Sequence, residues 1–336
     1  MNARAGGALA LRVAVERFPF KEPFHITGYT TVDTDVVTVD LARDDGCRGR
    51  GEASGVYYRE HEDAAGIVSH IEAVRGQIEA GIDRTSLQRL LPAGGARNAL
   101  DCALWDLEAK TTGRAAWRIA QLGPPQPLCT TFTVVANDPQ KMAADALRYC
   151  GAKALKLKLT GAPVDADRVR AVRAVLPGVW LGVDANQGFT AAFLETLMPV
   201  LLASQVSLIE QPFRVGEDAL LDGLNSPIPI AADESAQGLA DVAGLVGRYD
   251  VVNIKLDKCG GLTEGLAMAR EARRLGLDVM VGNMVGTSLA MAPACLVGQL
   301  CSIVDLDGPV FLSADRPLRA CYDGGMISCP ATLWGA

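Results

Sequence analysis

Histidine is the scarcest chemistry-bearing residue in this chain. Of 336 residues only His25, His61 and His70 are histidine, all in the first quarter. Catalysis further along must therefore proceed without imidazole, which excludes a serine–histidine triad or a histidine-rich zinc site from most of the sequence. The nine cysteines, Cys47 to Cys329, include no C-x-x-C pair. An odd count without a framework reads as reduced, mostly buried thiols. No apolar run is long enough to span a membrane, and "MNARAGGALALRVAVERF" lacks the apolar centre of a signal peptide. A net charge of -7 and the absence of any basic run exclude a nucleic-acid or anionic-membrane partner. These absences predict a soluble cytoplasmic protein. At 49% hydrophobic the chain can bury a large core, enough for one large or two ordinary domains.

From about residue 128 short apolar runs alternate with longer amphipathic segments. The runs are "LCTTFTVV", "ALKLKL", "VWLGVDA", "VSLIEQP", "IPIAADES", "VVNIKLD", "LDVMVGN" and "SIVDLDG". Alternating strand and helix implies a parallel α/β sheet. Thr133, Lys158, Asp184, Glu210, Asp233, Lys255, Gly282 and Asp307 mark the strand ends, spaced 22 to 27 residues apart. Eight units so evenly spaced predict a TIM-type (β/α) barrel over 123–308. No G-x-G-x-x-G lies between a strand and a helix, so a dinucleotide-binding sheet has little support. Residues 1–122 read instead as an α+β domain. There "ALRVAVERF" and "DVVTVDLAR" alternate like antiparallel strands, and "ARNALDCALWDLEAKTTG" follows as a helix. Residues 309–336 are expected to pack back on the rest.

Active sites of such barrels lie at the C-terminal ends of the strands. There the sequence places Asp184 in "GVDANQG", Glu210 in "LIEQPF" and Asp233 in "IAADES", on three successive strands. Three converging carboxylates cannot all stay ionised without a cation, and an all-oxygen donor set favours a hard ion such as Mg2+. Each carboxylate alone could equally cap a helix or pair with a lysine. Lys158 ends strand 2 and Lys255 ends strand 6, on opposite walls, with the carboxylates between them. Asp305 and Asp307, in "DLDG" on strand 8, face that group across the mouth. A carboxylate substrate with a distant cationic group fits this layout. Its α-carbon would lie between two lysines, one needing to be neutral near pH 7. Lys156 shares a strand face with Lys158 and would lower its pKa by crowding. Taken alone, "LKLKL" fits solvated edge lysines better, and a Schiff-base lysine is also open.

The motifs "LKLKL", "VDANQG", "IEQPF", "ADES" and "NIKLDKCGGLTEG" together resemble the enolase superfamily, muconate-lactonizing subgroup. "ARNALDCALWDLEAK" and "DLDGPVFL" narrow the resemblance to the dipeptide epimerases of the L-Ala-D/L-Glu type. It covers nearly the whole chain. It implies an α+β capping domain (1–122), a modified TIM barrel (123–308) and a C-terminal segment (309–336) that completes the cap. It also implies Mg2+ on Asp184, Glu210 and Asp233, with Lys158 and Lys255 as the acid/base pair and Lys156 assisting. Asp305 and Asp307 would bind a dipeptide's α-ammonium. The reaction implied is 1,1-proton transfer at the α-carbon of the dipeptide's C-terminal residue, through an enediolate.

The side-chain pocket departs from that resemblance. In "PFHITGYTTVDTD" the capping loop offers Gly28, Tyr29, Thr30 and Thr31 where related Ala-Glu enzymes carry an arginine. Met284, in "GNMVGTSLAMAPA", stands in an uncharged strand-7 segment. An unpaired buried glutamate is expensive, and Arg59 in "GVYYREHE" is the residue that could supply its partner. The substrate-side candidates are thus Tyr29, Thr31, Arg59, Thr133 and Met284, for Ala-Glu or a less polar dipeptide. Asn186 and Glu234 flank the acidic positions as supports or helix caps, and Cys259 reads as small filler. N-acylamino-acid racemisation, o-succinylbenzoate synthesis and cycloisomerisation are rivals on the same fold, and a non-catalytic metabolite-binding barrel is a remote one. Homo-oligomers are common in the superfamily.

Overall fold

The computed structural model describes residues 8–26, 29–149 and 151–336, with the backbone alone for His25, Ile26 and Tyr29. Strands β1 (Leu9–Ile26), β2 (Tyr29–Arg43) and β3 (Arg48–Ser54) form an antiparallel sheet in that order. Their alternation sends Leu9, Leu11, Val37, Val39 and Leu41 to one face, onto Ile67, Ile71 and Leu100 of the helices Ala64–Ala73 and Gly95–Thr112. This is the cap.

A two-residue strand, β4 (Leu128–Cys129), leads into the barrel. The barrel strands are β5 (Thr131–Val134), β6 (Ala154–Lys158), β7 (Trp180–Asp184), β8 (Leu208–Glu210), β9 (Ile230–Ala232), β10 (Val251–Ile254), β11 (Asp278–Val281) and β12 (Ile303–Val304). They pair in parallel, neighbour to neighbour, from β5 round to β12. Side-chain alternation then answers the puzzle of "LKLKL". Leu155, Leu157 and Leu159 enter the core between strands and outer helices, so Lys156 and Lys158 must face the lumen. Leu208, Ala231, Val251 and Met280 cluster separately, packed by Trp180 and Ile303 from the first positions of β7 and β12. They plug the lumen at its N-terminal end and leave the other end to polar groups.

The barrel is modified in two ways. After β8 and β9 the outer elements shrink to the 3-10 turns Asp218–Leu221 and Leu239–Leu245. The ring is also not closed by backbone pairing, since β5 and β12 exchange no ladder bonds. Side chains close it instead. Asp305 accepts from the Thr131 hydroxyl, Asp307 accepts from the Thr133 N–H at 2.6 Å, and the Thr130 hydroxyl accepts from the Leu306 N–H at 2.9 Å.

The C-terminal segment touches both layers. Strands β13 (Cys321–Asp323) and β14 (Met326–Ser328) join β4 in a small antiparallel sheet below the barrel. Upstream of them Arg316 pairs with Glu16 and Glu52 of the cap at 2.8 Å. Beyond them the Trp334 indole donates to the Arg50 carbonyl at 2.9 Å.

Cap and barrel meet most closely at the short helix Leu256–Cys259, directly after β10. Gly260 (φ 80°) and Gly261 (φ 114°) end it in the left-handed region. A Cβ on Gly260 would lie 2.3 Å from Arg97 Nε, and one on Gly261 2.6 Å from Asp101, so only glycine lets the cap helix approach. Within the junction Asp257 accepts from the Ser54 N–H (2.9 Å) and the Asn98 amide (3.0 Å), and burial pushes its carboxyl up to about 7. A folded-state value above the usual 3.8 means the native state binds the proton more tightly. Stability is therefore lost as pH rises from about 4 to 7. Asp257→Asn keeps the accepting oxygen and removes the charge. It should raise the melting temperature at pH 8 by roughly 3 °C or more, with the gain shrinking below pH 7, in paired thermal melts across pH.

Candidate active site

The strand ends deliver the charged groups to one place. Lys158, Asp184 and Glu210 are the last residues of β6, β7 and β8, and register sets Lys158 beside Asp184 and Asp184 beside Glu210. Asp233 and Lys255 follow β9 and β10 by one residue, and Asp305 and Asp307 follow β12. All seven are buried, as is Lys156. A cavity of about 320 Å³ opens above them between barrel and cap.

Within it every lysine is matched to carboxylates. Lys158 Nζ donates to Asp184 Oδ2 at 2.6 Å and to Asn186 Oδ1 at 3.0 Å. Lys156 Nζ donates to Glu210 Oε2 at 3.0 Å and to Asp305, and lies 3.6 Å from the same Asp184 oxygen. Lys255 Nζ donates to Asp233 Oδ2 at 2.7 Å. The crowding expected between Lys156 and Lys158 is thus relieved by the Asp184 oxygen between them. Burial favours the neutral amine of Lys156, but Asp305, Glu210 and Asp184 hold it well above the ordinary lysine range. Lys255 is held up in the same way by Asp233 and Glu210, against burial. For both, neighbouring anions outweigh burial.

The acids remain in excess. Burial and then Asp184 push the Glu210 carboxyl up to about 7, despite Lys156. Glu234 is raised to about 7 by burial, then by Asp233 and Asp184, and its buried Oε2 has no hydrogen-bond partner. Asp307 is raised to about 7 by burial and Asp305. Burial also raises Asp233 and Asp305, but lysines prevail and hold both low: Lys255 and Lys258 for the first, Lys156 for the second. With the carboxylates turned to ammonium groups, no three His, Cys, Asp or Glu side chains stand together in metal-holding geometry among the described residues. The donor set nevertheless suits a hard cation. Asp184, Glu210 and Asp233 put buried oxygens on neighbouring strand ends, Glu210 resists ionisation, and Glu234 beside them also resists it and has an unpartnered oxygen.

Of the substrate-side candidates, Thr31, Thr133 and Met284 line the cavity. Gly28 and the Tyr29 side chain lie outside the described residues. Arg59 does not line the cavity. Its guanidinium donates to the Lys258 carbonyl at 3.1 Å and to Gln237, so it joins cap to barrel and offers no charge to a ligand. The remaining wall is aromatic and acidic, with Phe20, Phe24, Tyr57, Tyr58, Phe311 and Asp33.

Three supporting residues escaped the sequence reading. Gln211, buried at φ 35°, accepts from the Asp233 and Ser235 N–H groups at 2.9 and 3.0 Å and so aims the end of β9. Asn253 donates to Glu210 Oε1 at 2.7 Å. Lys258 donates to Asp233 Oδ1 at 2.6 Å. The signal was present in "EQP" and "NIKLDK", where polar residues interrupt otherwise buried strand ends.

Comparison with known proteins places this site in a family. Residues 8–120 match the mandelate racemase / muconate lactonizing enzyme N-terminal domain, and residues 140–314 match the enolase C-terminal domain-like family. L-Ala-D/L-Glu epimerase of Escherichia coli is 40% identical over 307 residues, 91% of this chain and 95% of that protein. N-acetyl-D-glutamate racemase of Pseudoalteromonas is 42% identical over 76% of this chain and 80% of its own length. A crystal structure from Agrobacterium tumefaciens, of an enolase family member with homology to dipeptide epimerases, holds sodium and L-Ala-L-Glu. It aligns with TM-score 0.93 at 44% identity, over 97% of this chain and all of that one. Dipeptide epimerase of Enterococcus faecalis, complexed with Mg and L-Leu-L-Tyr, aligns with TM-score 0.89 at 26% identity, over 96% and 98%. The chain belongs to the mandelate racemase / muconate-lactonizing family of the enolase superfamily. It is an isomerase, of the class that includes these epimerases and racemases.

The pairing of Lys156 with Glu210 and Asp305 gives a direct test of the charge balance. Lys156→Met leaves two buried carboxylates uncompensated. In urea melts run in EDTA it should cost on the order of 3–5 kcal/mol at pH 8, and less at pH 6, where buried carboxyls protonate.

Proposed function

We propose that this chain is a Mg2+-dependent dipeptide epimerase, acting on L-Ala-D/L-Glu or on a less polar dipeptide. The observation that carries the reading is the pair of buried lysines at the ends of β6 and β10. They lie on opposite walls of one cavity, with Asp184, Glu210 and Asp233 on the strands between. The reading treats residues 1–122 as the cap, 123–308 as the barrel and 309–336 as the segment completing the cap.

Asp184, Glu210 and Asp233 would hold the Mg2+, which supplies fixed positive charge against the negative charge developing on the substrate carboxylate. With these carboxylates serving as ligands, Lys255 would lose the anions that raise it, leaving burial, which favours the free amine. Lys158 takes the α-proton from one face and Lys255 returns one to the other, or the reverse for the opposite epimer. Lys156 stays charged beside Asp305 and faces the developing enediolate. Asp307, with one oxygen held by the Thr133 N–H, is the anchor for the dipeptide's α-ammonium.

Two observations bear on the side chain accepted. The similar relatives named for Ala-Glu favour glutamate. The cavity wall favours a less polar residue, since its only cations are Lys156, Lys158 and Lys255 among the described residues. The rival N-acylamino-acid racemase reading draws on the Pseudoalteromonas relative and on Asp305, whose oxygens already serve Lys156 and Thr131.

The decisive measurement is deuterium uptake from D2O. Lys158→Ala and Lys255→Ala should each abolish epimerisation and retain α-proton exchange for only one epimer. Exchange of both epimers at wild-type rates in either variant defeats the two-base assignment. Asp307→Asn should lower dipeptide kcat/KM by about 100-fold or more, the cost of an unpaired buried ammonium. Retained N-acetylglutamate turnover together with no dipeptide turnover in the wild type would establish the rival. A dipeptide panel fixes the side chain, because turnover confined to Xaa-Glu rules out the less polar class.

A further inference from the structure

Lys258 is fully buried, yet neither proton transfer nor substrate binding uses it. It lies one helical turn after Lys255, in the helix Leu256–Cys259, which brings it back beneath the strand ends. An ammonium group has three N–H donors and no acceptor. Here they meet Asp233 Oδ1 at 2.6 Å, the Asp233 carbonyl, and the Asn253 carbonyl at 3.3 Å. Two of the three contacts thus go to a single residue, through its side chain and its backbone together.

Charge compensation alone does not account for this arrangement. Asp233 already has a counter-ion in Lys255, which takes Oδ2 at 2.7 Å. A second ammonium carried to complete burial costs several kcal/mol in lost hydration. What it adds is geometric. By holding Oδ1 and the carbonyl of the same residue, Lys258 fixes the Asp233 rotamer and leaves Oδ2 to Lys255. The clamp is itself held. Arg59 of the cap donates to the Lys258 carbonyl, and Gly260 and Gly261 end the helix where Arg97 and Asp101 press on it.

We propose that Lys258 is a positioning residue that presets Asp233 as a cation ligand, and that the cap takes part through Arg59. This inference rests on the assignment of Asp233 to the metal site. Groups that orient metal ligands typically contribute about 10–100-fold to metal affinity.

The test is Mn2+ binding to the full chain without substrate, followed by the electron paramagnetic resonance signal of free Mn2+. Folding is checked by circular dichroism and thermal melting. Lys258→Met should weaken Mn2+ binding by about tenfold or more at unchanged fold. Lys258→Gln keeps an N–H donor without the charge and should stay within about threefold of wild type. If Lys258→Met does not fold, Lys258→Ala, which also removes donor and charge, takes its place under the same limit of about tenfold. Met binding equal to or tighter than wild type overturns the proposal, because removing a merely neutralising charge strengthens cation binding. A tenfold loss in the glutamine variant overturns it as well, since charge and not hydrogen bonding would then be the cause. A wild-type chain that fails to bind Mn2+ overturns the metal assignment and this inference together. Normal wild-type binding with an unaffected Met variant overturns this inference alone.

Discussion

The mouth of this barrel depends on mutual neutralisation of buried charge. Four ammonium groups, on Lys156, Lys158, Lys255 and Lys258, sit among Asp184, Glu210, Asp233, Glu234, Asp305 and Asp307 with almost no access to water. Any of these groups left alone in such a place would be prohibitively costly. The register of neighbouring strands prevents that by setting basic and acidic ends side by side. Acid exceeds base here, which is the charge balance the proposed cation would complete. Glu210 and Glu234, both pushed up to about 7, show where the surplus lies.

This balance gives the remaining architecture its task. The apolar plug of Leu208, Ala231, Val251 and Met280 keeps water out from below, and the cap covers the site from above. Between them the polar supports are rigid. Gln211 ties the ends of β8 and β9, Asn253 steadies Glu210, and the Leu256–Cys259 helix receives hydrogen bonds from Ser54, Arg59, Arg97 and Asn98. Cap and barrel are therefore joined at the point where a displacement would move Lys255.

Much of this was readable from residue order alone. The 22-to-27-residue spacing located seven strand ends to within one residue, with Asp307 three residues past β12, and "LKLKL" set leucines outward and lysines inward. Charged residues at strand ends stand out because chain direction forces them to one rim. What could not be read was where long side chains turn. Arg59 lies in a loop beside the site, yet its guanidinium reaches the Lys258 carbonyl, a contact 199 residues away along the chain. The crowding of Lys158 by Lys156 was read from spacing without the Asp184 oxygen that stands between them, because that carboxylate comes from another strand. The partner of the C-terminal strands, β4, is only two residues long and has no periodicity to detect.

The seam between β5 and β12 has an evolutionary consequence. Its two edges are joined by Asp305, Asp307 and the threonines Thr130, Thr131 and Thr133, so two carboxylates that line the cavity also hold the cylinder shut. Mutational drift at that wall carries a structural penalty as well as a chemical one. The mobile currency of divergence must lie elsewhere, in the antiparallel layer whose Phe20, Phe24, Thr31 and Asp33 contribute contacts but no closure. The cavity lining can thus change in one half of the molecule while the closure of the barrel is kept in the other.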